Sequence, residues 1–214
     1  MYLPKHFRAD DAETAELLDG IRVADLITPT ADGLFATFLP LFFDPAASPH
    51  GSLLGHVARK NDHWRLQPSG ESMVIVHGPD AYITPSWYAT KRETGRVVPT
   101  WNYLTAHIHG ELVIHDDPVW LERVVRHLTD RHEAQAEHPW SVDDAPRDYT
   151  DSQLKAIVGV ELRITRVEAK SKLGQNRSAQ DVAGVIAGLT ERGDVPVAAA
   201  TERSVSARAR PESS

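Results

Sequence analysis

Cysteine is missing altogether from the 214 residues. Its absence excludes a disulfide framework, a thiolate nucleophile, a redox thiol pair and any zinc or iron–sulfur centre held by cysteine, and it suits a cytoplasmic protein. Positive charge is also short. Against 30 Asp and Glu there are 23 Lys and Arg, a formal net charge of -7, so the chain as a whole is no basic cradle for nucleic acid. No stretch reaches the roughly 18 to 20 uninterrupted apolar residues of a membrane span. The first residues, Met1 to Phe7, meet Asp10 and Asp11 before any apolar segment forms, which reads against a signal peptide. Gly70 and Gly78 build neither a phosphate loop nor a dinucleotide fingerprint, and no HExxH occurs. Ser86 lacks the strand-to-helix elbow of a serine hydrolase.

What is present is a hydrophobic content of 41%, enough for a sizeable core. Residues 10–19 read as a short opening helix, acidic at its front and stopped by Gly20. Two β-rich segments, 21–28 and 33–43, flank an Asp32-Gly33 turn and predict a hairpin, with Pro40 marking an edge, a bulge or the end of pairing. Further strands are expected at 51–58, 72–77, 81–84, 99–115 and 155–170. From Ala106 to His115 apolar and polar residues alternate, the period of a strand with one packed face. Asp117-Pro118 opens an amphipathic helix to about residue 134, and Ser178 caps another over 178–190. The spacing favours a barrel or sandwich, mainly β with peripheral helices, over residues 1–192. Residues 193–214, small, polar and dotted with Arg203, Arg208 and Arg210, are expected to be a flexible tail.

Chemistry-bearing residues fall into a few clusters. His56, Arg59, Lys60 and Asn61 could leave a strand end together and hold a phosphate, or form a solvated basic turn. Ser86, Trp87 and Tyr88, with Thr100, Trp101, Asn102 and Tyr103, offer aromatic walls and oriented hydrogen bonds to a planar ligand, or else core packing or a dimer contact. Lys91, Arg92 and Arg96 between them suit a lid over an anion or a soluble loop. Lys170, Lys172, Gln175, Asn176 and Arg177 follow the last strand and could grip a phosphate or the polar edge of a flavin, or cap the final helix. Eleven histidines are present, but no constrained ligand spacing accompanies them, and no metal site is expected.

The blocks MYLPKHF at 1–7, GHVARKNDHW at 55–64, GPDAYITPSWY at 78–88, VVPTWNY at 97–103 and KSKLGQNR at 170–177 stand in family order and together resemble the PaiB-type family of FMN-binding negative transcriptional regulators, over about residues 1–190. The resemblance implies an FMN-binding split β-barrel, related to flavin oxidoreductases and pyridoxamine-phosphate-oxidase-like proteins. It also implies a homodimer with ligand sites at or near the subunit interface. FMN is the implied cofactor. The residues implied to bind it are His56, Arg59, Asn61 and Trp64 in the first matching site block, and Ser86, Trp87 and Tyr88 in the second. Thr100, Trp101 and Asn102 follow in the third, and Lys172, Gln175, Asn176 and Arg177 in the last. Gly174 stands where the family pattern carries serine, removing one hydroxyl from that block. The implied function is an FMN-binding regulatory protein, redox-linked, with a flavin-dependent oxidoreductase and a cofactor-free interaction or transcription-regulatory barrel as the alternatives. A small-molecule or protein partner is unidentified, direct DNA binding is left open, and no membrane is expected.

Overall fold

The computed structural model describes residues 1–208. Six strands, β1 (Val23–Thr30), β2 (Gly33–Asp44), β3 (Ser52–Ala58), β4 (Ser72–Ile83), β5 (Thr100–His115) and β6 (Ile157–Lys172), close into a barrel in the order β1-β2-β3-β6-β5-β4. The helices are α1 (Asp11–Asp19), α2 (Ala89–Thr94), α3 (Pro118–Glu133), α4 (Arg147–Leu154), α5 (Ala179–Arg192) and α6 (Val195–Arg208). Among the described residues no helix is long and apolar enough to cross a membrane.

The β1/β2 hairpin is turned by Ala31-Asp32 with Gly33 at φ 120°, a backbone conformation that favours glycine. Pro40 lies where β2 changes partner. Its Cα is in register with Val23 of β1, whereas Leu41 onward pairs with β3. A residue without an N–H is tolerated at such a handover. The strands expected at 72–77 and 81–84 are one continuous β4, whose pairing with β1 is confined to Met73–Ile75, so Pro79 falls outside that ladder.

By contacts the chain divides into two units: residues 15–76 with 107–167, and residues 1–14 with 77–106 and 168–214. In the first, Leu53 and Val158 are fully buried, and the other side of β3 turns Leu54 toward α3. Asp117 caps α3 by accepting the Val119 N–H at 3.1 Å, and Pro118 takes the first turn, where no intrahelical donor is needed. Leu121, Val124 and Leu128 then recur on one buried side, and Val124 and Leu128 pack on Phe42 and Leu54. Each such burial is worth about 2 kcal/mol. Trp120 lies so close over Gly159 that a Cβ there would stand 2.2 Å from the indole.

In the second unit Ser178 caps α5 by accepting the Asp181 N–H at 3.2 Å, and Gly193 ends the helix at φ 91°. Residues 195–208 correct the expectation of a flexible tail. They form α6, in which Val197, Ala198, Ala200, Thr201 and Ser204 are buried. Small residues such as alanine give weak hydrophobic periodicity yet let two helices approach closely, which is why the composition read as a tail. The rest of that expectation, including Arg210, lies outside the described residues.

Candidate functional site

The sequence-predicted residues fall into both units. His56, Arg59, Asn61 and Trp64 belong to the first, where hydrogen bonds hold the last three. Arg59 spends its guanidinium within the fold: Nε donates to the Lys155 carbonyl at 2.8 Å, Nη2 to the Ile157 carbonyl at 3.0 Å, and Nη1 and Nη2 form a fork on the Asp116 carboxylate. Asp116 raises the Arg59 pKa above its ordinary value by that hydrogen bond, with burial opposing it. Trp64 donates its indole N–H to the Arg59 carbonyl at 3.0 Å and carries the Arg65 guanidinium 4.6 Å above its ring. The bonds to the Lys155 and Ile157 carbonyls tie the end of β3 to the start of β6, and the ion pair ties it to the residue that follows β5.

Asn61 accepts the His63 N–H at 2.9 Å, starting the short 3-10 turn Asp62–Arg65, and donates to Thr37 Oγ1 at 3.2 Å. His63, only 1% exposed, lies between Thr28 Oγ1 at 2.8 Å and Thr37 Oγ1 at 2.9 Å, and Thr28 reaches Ser72 at 2.7 Å. Burial lowers the His63 pKa to about 4, so this imidazole is neutral and structural at pH 7. His56 shares with Leu54 the side of β3 that faces the helices.

The second unit gathers the other blocks. Lys172, at the end of β6, donates from Nζ to Thr100 Oγ1 and to the Trp101 carbonyl, both at 2.5 Å. The Tyr103 ring lies 5.7 Å from that ammonium and 5.5 Å from the ammonium of Lys170. Burial lowers the Lys172 pKa, and the positive charges of Lys170 and Arg177 lower it further. An anion placed among these cations would relieve their repulsion. Arg177 stacks 4.8 Å over Tyr88, itself 2% exposed, whose pKa burial raises. Gln175 is committed locally: its amide donates to the Ser171 carbonyl at 2.7 Å and accepts the Leu173 N–H at 2.9 Å, shaping the turn around Gly174. Asn176 is exposed and Asn102 is buried.

Aromatic walls follow from the same strands. Trp101 is 50% exposed, held by a 2.7 Å bond from its indole N–H to Asp80 and edge-on to Tyr82 at 6.1 Å. Ser86 is exposed and accepts from Lys91 Nζ at 3.0 Å. Trp87 is different, because it is seated on α5. A Cβ at Gly188 would meet its indole at 2.2 Å, and the Arg192 guanidinium lies 4.7 Å over its ring. Thr90 donates both its N–H and its hydroxyl to Asp181, at 2.9 and 2.8 Å, fastening the start of α2 to α5.

Sequence reasoning named Lys170 and Tyr103 in its candidate clusters without carrying them into the implied FMN set, and it gave Asp80 no role. The period of two on β6 and β5 could have placed Lys170 beside Lys172 and Tyr103 beside Trp101. Asp80 carries no such signal. Among the described residues no group of three or more His, Asp and Glu gathers as a metal site.

Comparison with known proteins adds an independent line. The family model described as "Putative FMN-binding domain" matches residues 1–166. Protease synthase and sporulation protein PAI 2 of Bacillus subtilis strain 168 is 31% identical over 189 residues, 87% of this chain and 87% of that protein. The uncharacterized protein AN0679 of Emericella nidulans is 30% identical over 206 residues, 81% of this chain and 82% of that one. Among solved structures, the flavocytochrome Anf3 from Azotobacter vinelandii superposes with a TM-score of 0.55 at 14% identity, over 82% of this chain and 74% of that one. The FAD and heme binding protein from Mycobacterium smegmatis gives 0.54 at 17% identity, over 81% and 77%. At these identities the likeness concerns the fold, and with the closed six-stranded sheet it establishes the mainly β, split-barrel class.

Proposed function

The chain belongs to the FMN-binding-domain family, and from that premise we propose that it binds flavin mononucleotide and serves a regulatory, redox-linked role in the cytoplasm. The observation that carries the cofactor assignment is the cation cluster of the second unit. Lys172 has neutral oxygens as its hydrogen-bond partners, and burial, with the charges of Lys170 and Arg177 added to it, presses its pKa down. A phosphate fits that chemistry, since it offers charge-assisted acceptors to both amine and guanidinium.

In this reading Lys172 and Arg177 hold the phosphate, with Asn176 at its solvent side. Trp101 and Tyr88 wall the ring system, Thr100, Asn102 and Ser86 orient its polar edge, and Trp87 and Gln175 hold their neighbours in place. Arg59, Asn61 and Trp64 brace the end of β3 within the first unit. When bound, the flavin supplies one- or two-electron transfer, and the protein's part is binding, orientation and control of solvent access. The regulatory role draws on the name of the Bacillus relative, protease synthase and sporulation protein.

A homodimer belongs to the same reading. On the outer side of the β1/β2 hairpin Val23 pairs with Pro40 and Pro29 with Leu34, and Phe38 stands opposite Asp25. Leu34 and Phe38 are 77% and 67% exposed. An apolar strip of this kind suits a second copy of the chain.

Titration of cofactor-stripped protein with flavin mononucleotide, followed by ligand fluorescence and with riboflavin as the phosphate-free control, tests the reading. Saturable binding that prefers the phosphate supports it, and a folded sample that binds neither ligand overturns it. If the flavin binds, reduction by NADH or NADPH with sustained turnover would replace the regulatory role with an oxidoreductase.

A further inference from the structure

The first unit holds a pocket of about 250 Å³ between β3, α3 and α4. Val125, Val142, Ala145, Leu154 and Ile157 give it aliphatic wall, and none of its lining residues is an acid, a lysine or an arginine. Trp140 and Tyr149 also line it while remaining 48% and 57% exposed, so large aromatic surface is left uncovered at the pocket. His56 contributes the imidazole. Its Nδ1 is buried and has no hydrogen-bond partner.

That orphaned nitrogen fixes the tautomer. A buried N–H without an acceptor is rarer and costlier than a bare lone pair, so the proton resides on Nε2. The other ring nitrogen is closed off, and Nε2–H is therefore the group through which His56 can meet a molecule in the pocket. Burial also lowers the His56 pKa from its ordinary value, which keeps the ring uncharged at neutral pH.

We propose that this pocket is a binding site for a small, uncharged aromatic molecule carrying one hydrogen-bond acceptor, an aryl ketone or aldehyde in class, with His56 Nε2 as the donor. The volume sets the size. It lies just below the roughly 300 to 1,000 Å³ of sites for drug-sized ligands, which admits one ring or a fused pair and excludes a flavin mononucleotide. Apolar walls and the missing charges select an uncharged molecule, because an ion would lose its hydration and gain no counter-charge. Trp140 and Tyr149 favour an aromatic ring, which they can cover edge-on or offset. The single donor selects an acceptor on the ligand. The site uses residues of one unit and does not depend on the flavin reading.

Acetophenone is a suitable probe, titrated into the purified full chain labelled with nitrogen-15 at histidine and tryptophan. The expected result is saturable movement of the His56 ring signals and the Trp140 indole signal. Ethylbenzene, which has the ring but lacks the acceptor, should bind about 5- to 10-fold more weakly, the worth of one hydrogen bond. Ala145→Leu, at a half-buried position of the wall, should abolish saturation while the spectrum stays folded. His56→Phe should erase the preference for acetophenone over ethylbenzene. Shifts that grow linearly with probe, that spare His56 and Trp140, or that persist in Ala145→Leu would overturn the assignment.

Discussion

Lys172 and Arg59 are both cations in matching blocks, yet their surroundings give them opposite duties. Lys172 is half-buried beside Lys170 and Arg177 and bonded to a hydroxyl and a carbonyl. Lys172→Ala should weaken flavin-mononucleotide binding about 10- to 100-fold, the range of a hydrogen bond to a charged group, and leave riboflavin affinity nearly unchanged. Equal losses for the two ligands would remove Lys172 from the phosphate. Arg59 is saturated by Asp116 and two carbonyls. Arg59→Ala is expected to lower the urea midpoint with little effect on flavin affinity. A loss of affinity matching that of Lys172→Ala would return Arg59 to the ligand. The sequence showed both residues as basic, but only long-range partners distinguish them. Asp116 is 57 positions from Arg59, and Thr100 is 72 from Lys172.

At the scale of elements, α5 owes its place to glycine. Gly188 admits the Trp87 indole, and a Cβ at Gly184 would stand 2.1 Å from the Trp87 carbonyl oxygen. Gly188→Ala should destabilise the protein by about 1–3 kcal/mol through overpacking, although alanine is the better helix former. The checks are urea unfolding and near-ultraviolet circular dichroism, the second because the ring nearest the substitution is a tryptophan. An unchanged midpoint and spectrum would mean that Trp87 packs elsewhere. The helix itself was legible from Ser178 and the recurring Val182, Val185, Ile186 and Leu189. Its glycines were not, because a missing Cβ carries meaning only once the facing residue is known. The short helix α2 escaped the sequence reading for a related reason: six residues hold too few turns to show a period.

For the whole molecule, buried ionisable groups of the first unit set the response to acid. His63 has its folded pKa lowered to about 4 from 6.5, so below pH 6.5 the unfolded chain takes up a proton that the folded chain refuses. Stability should therefore fall as pH drops from 6.5 to about 4, by roughly 3 kcal/mol for this group alone. His56 acts in the same direction. Glu161 adds a second phase. Burial pushes its pKa up, but the Ser52 hydroxyl at 2.8 Å and His115 at 2.7 Å outweigh that and leave it below its ordinary value of 4.5. Its contribution is present above the unfolded pKa and is lost as pH falls through the folded one. Urea midpoints measured across this range should show the slope, and His63→Gln, which can still bond Thr28 and Thr37, should flatten its upper part. A midpoint independent of pH between 6.5 and 4 would contradict the buried, neutral His63. Association is the other property at this scale. Sedimentation should show a dimer that Phe38→Lys dissociates, and a monomer at high concentration would remove the second copy from the exposed strip.

The sequence by itself determined the class of the fold and most of its elements, because a period of two, a capping Ser178 and an Asp32-Gly33 turn are written within a few residues of one another. It also carried the blocks by which the family was legible before any coordinates. The tertiary structure decided what those blocks do. Closure of the sheet required pairings such as Ser52 with Arg163, more than a hundred positions apart, which no local pattern specifies. The same long-range pairing set Tyr103 beside the Lys170 and Lys172 ammonium groups, locked Arg59 onto Asp116, and left one nitrogen of His56 without a partner. Convergence is a property of register and packing, and a cation becomes a ligand or a tie only when they choose its neighbours.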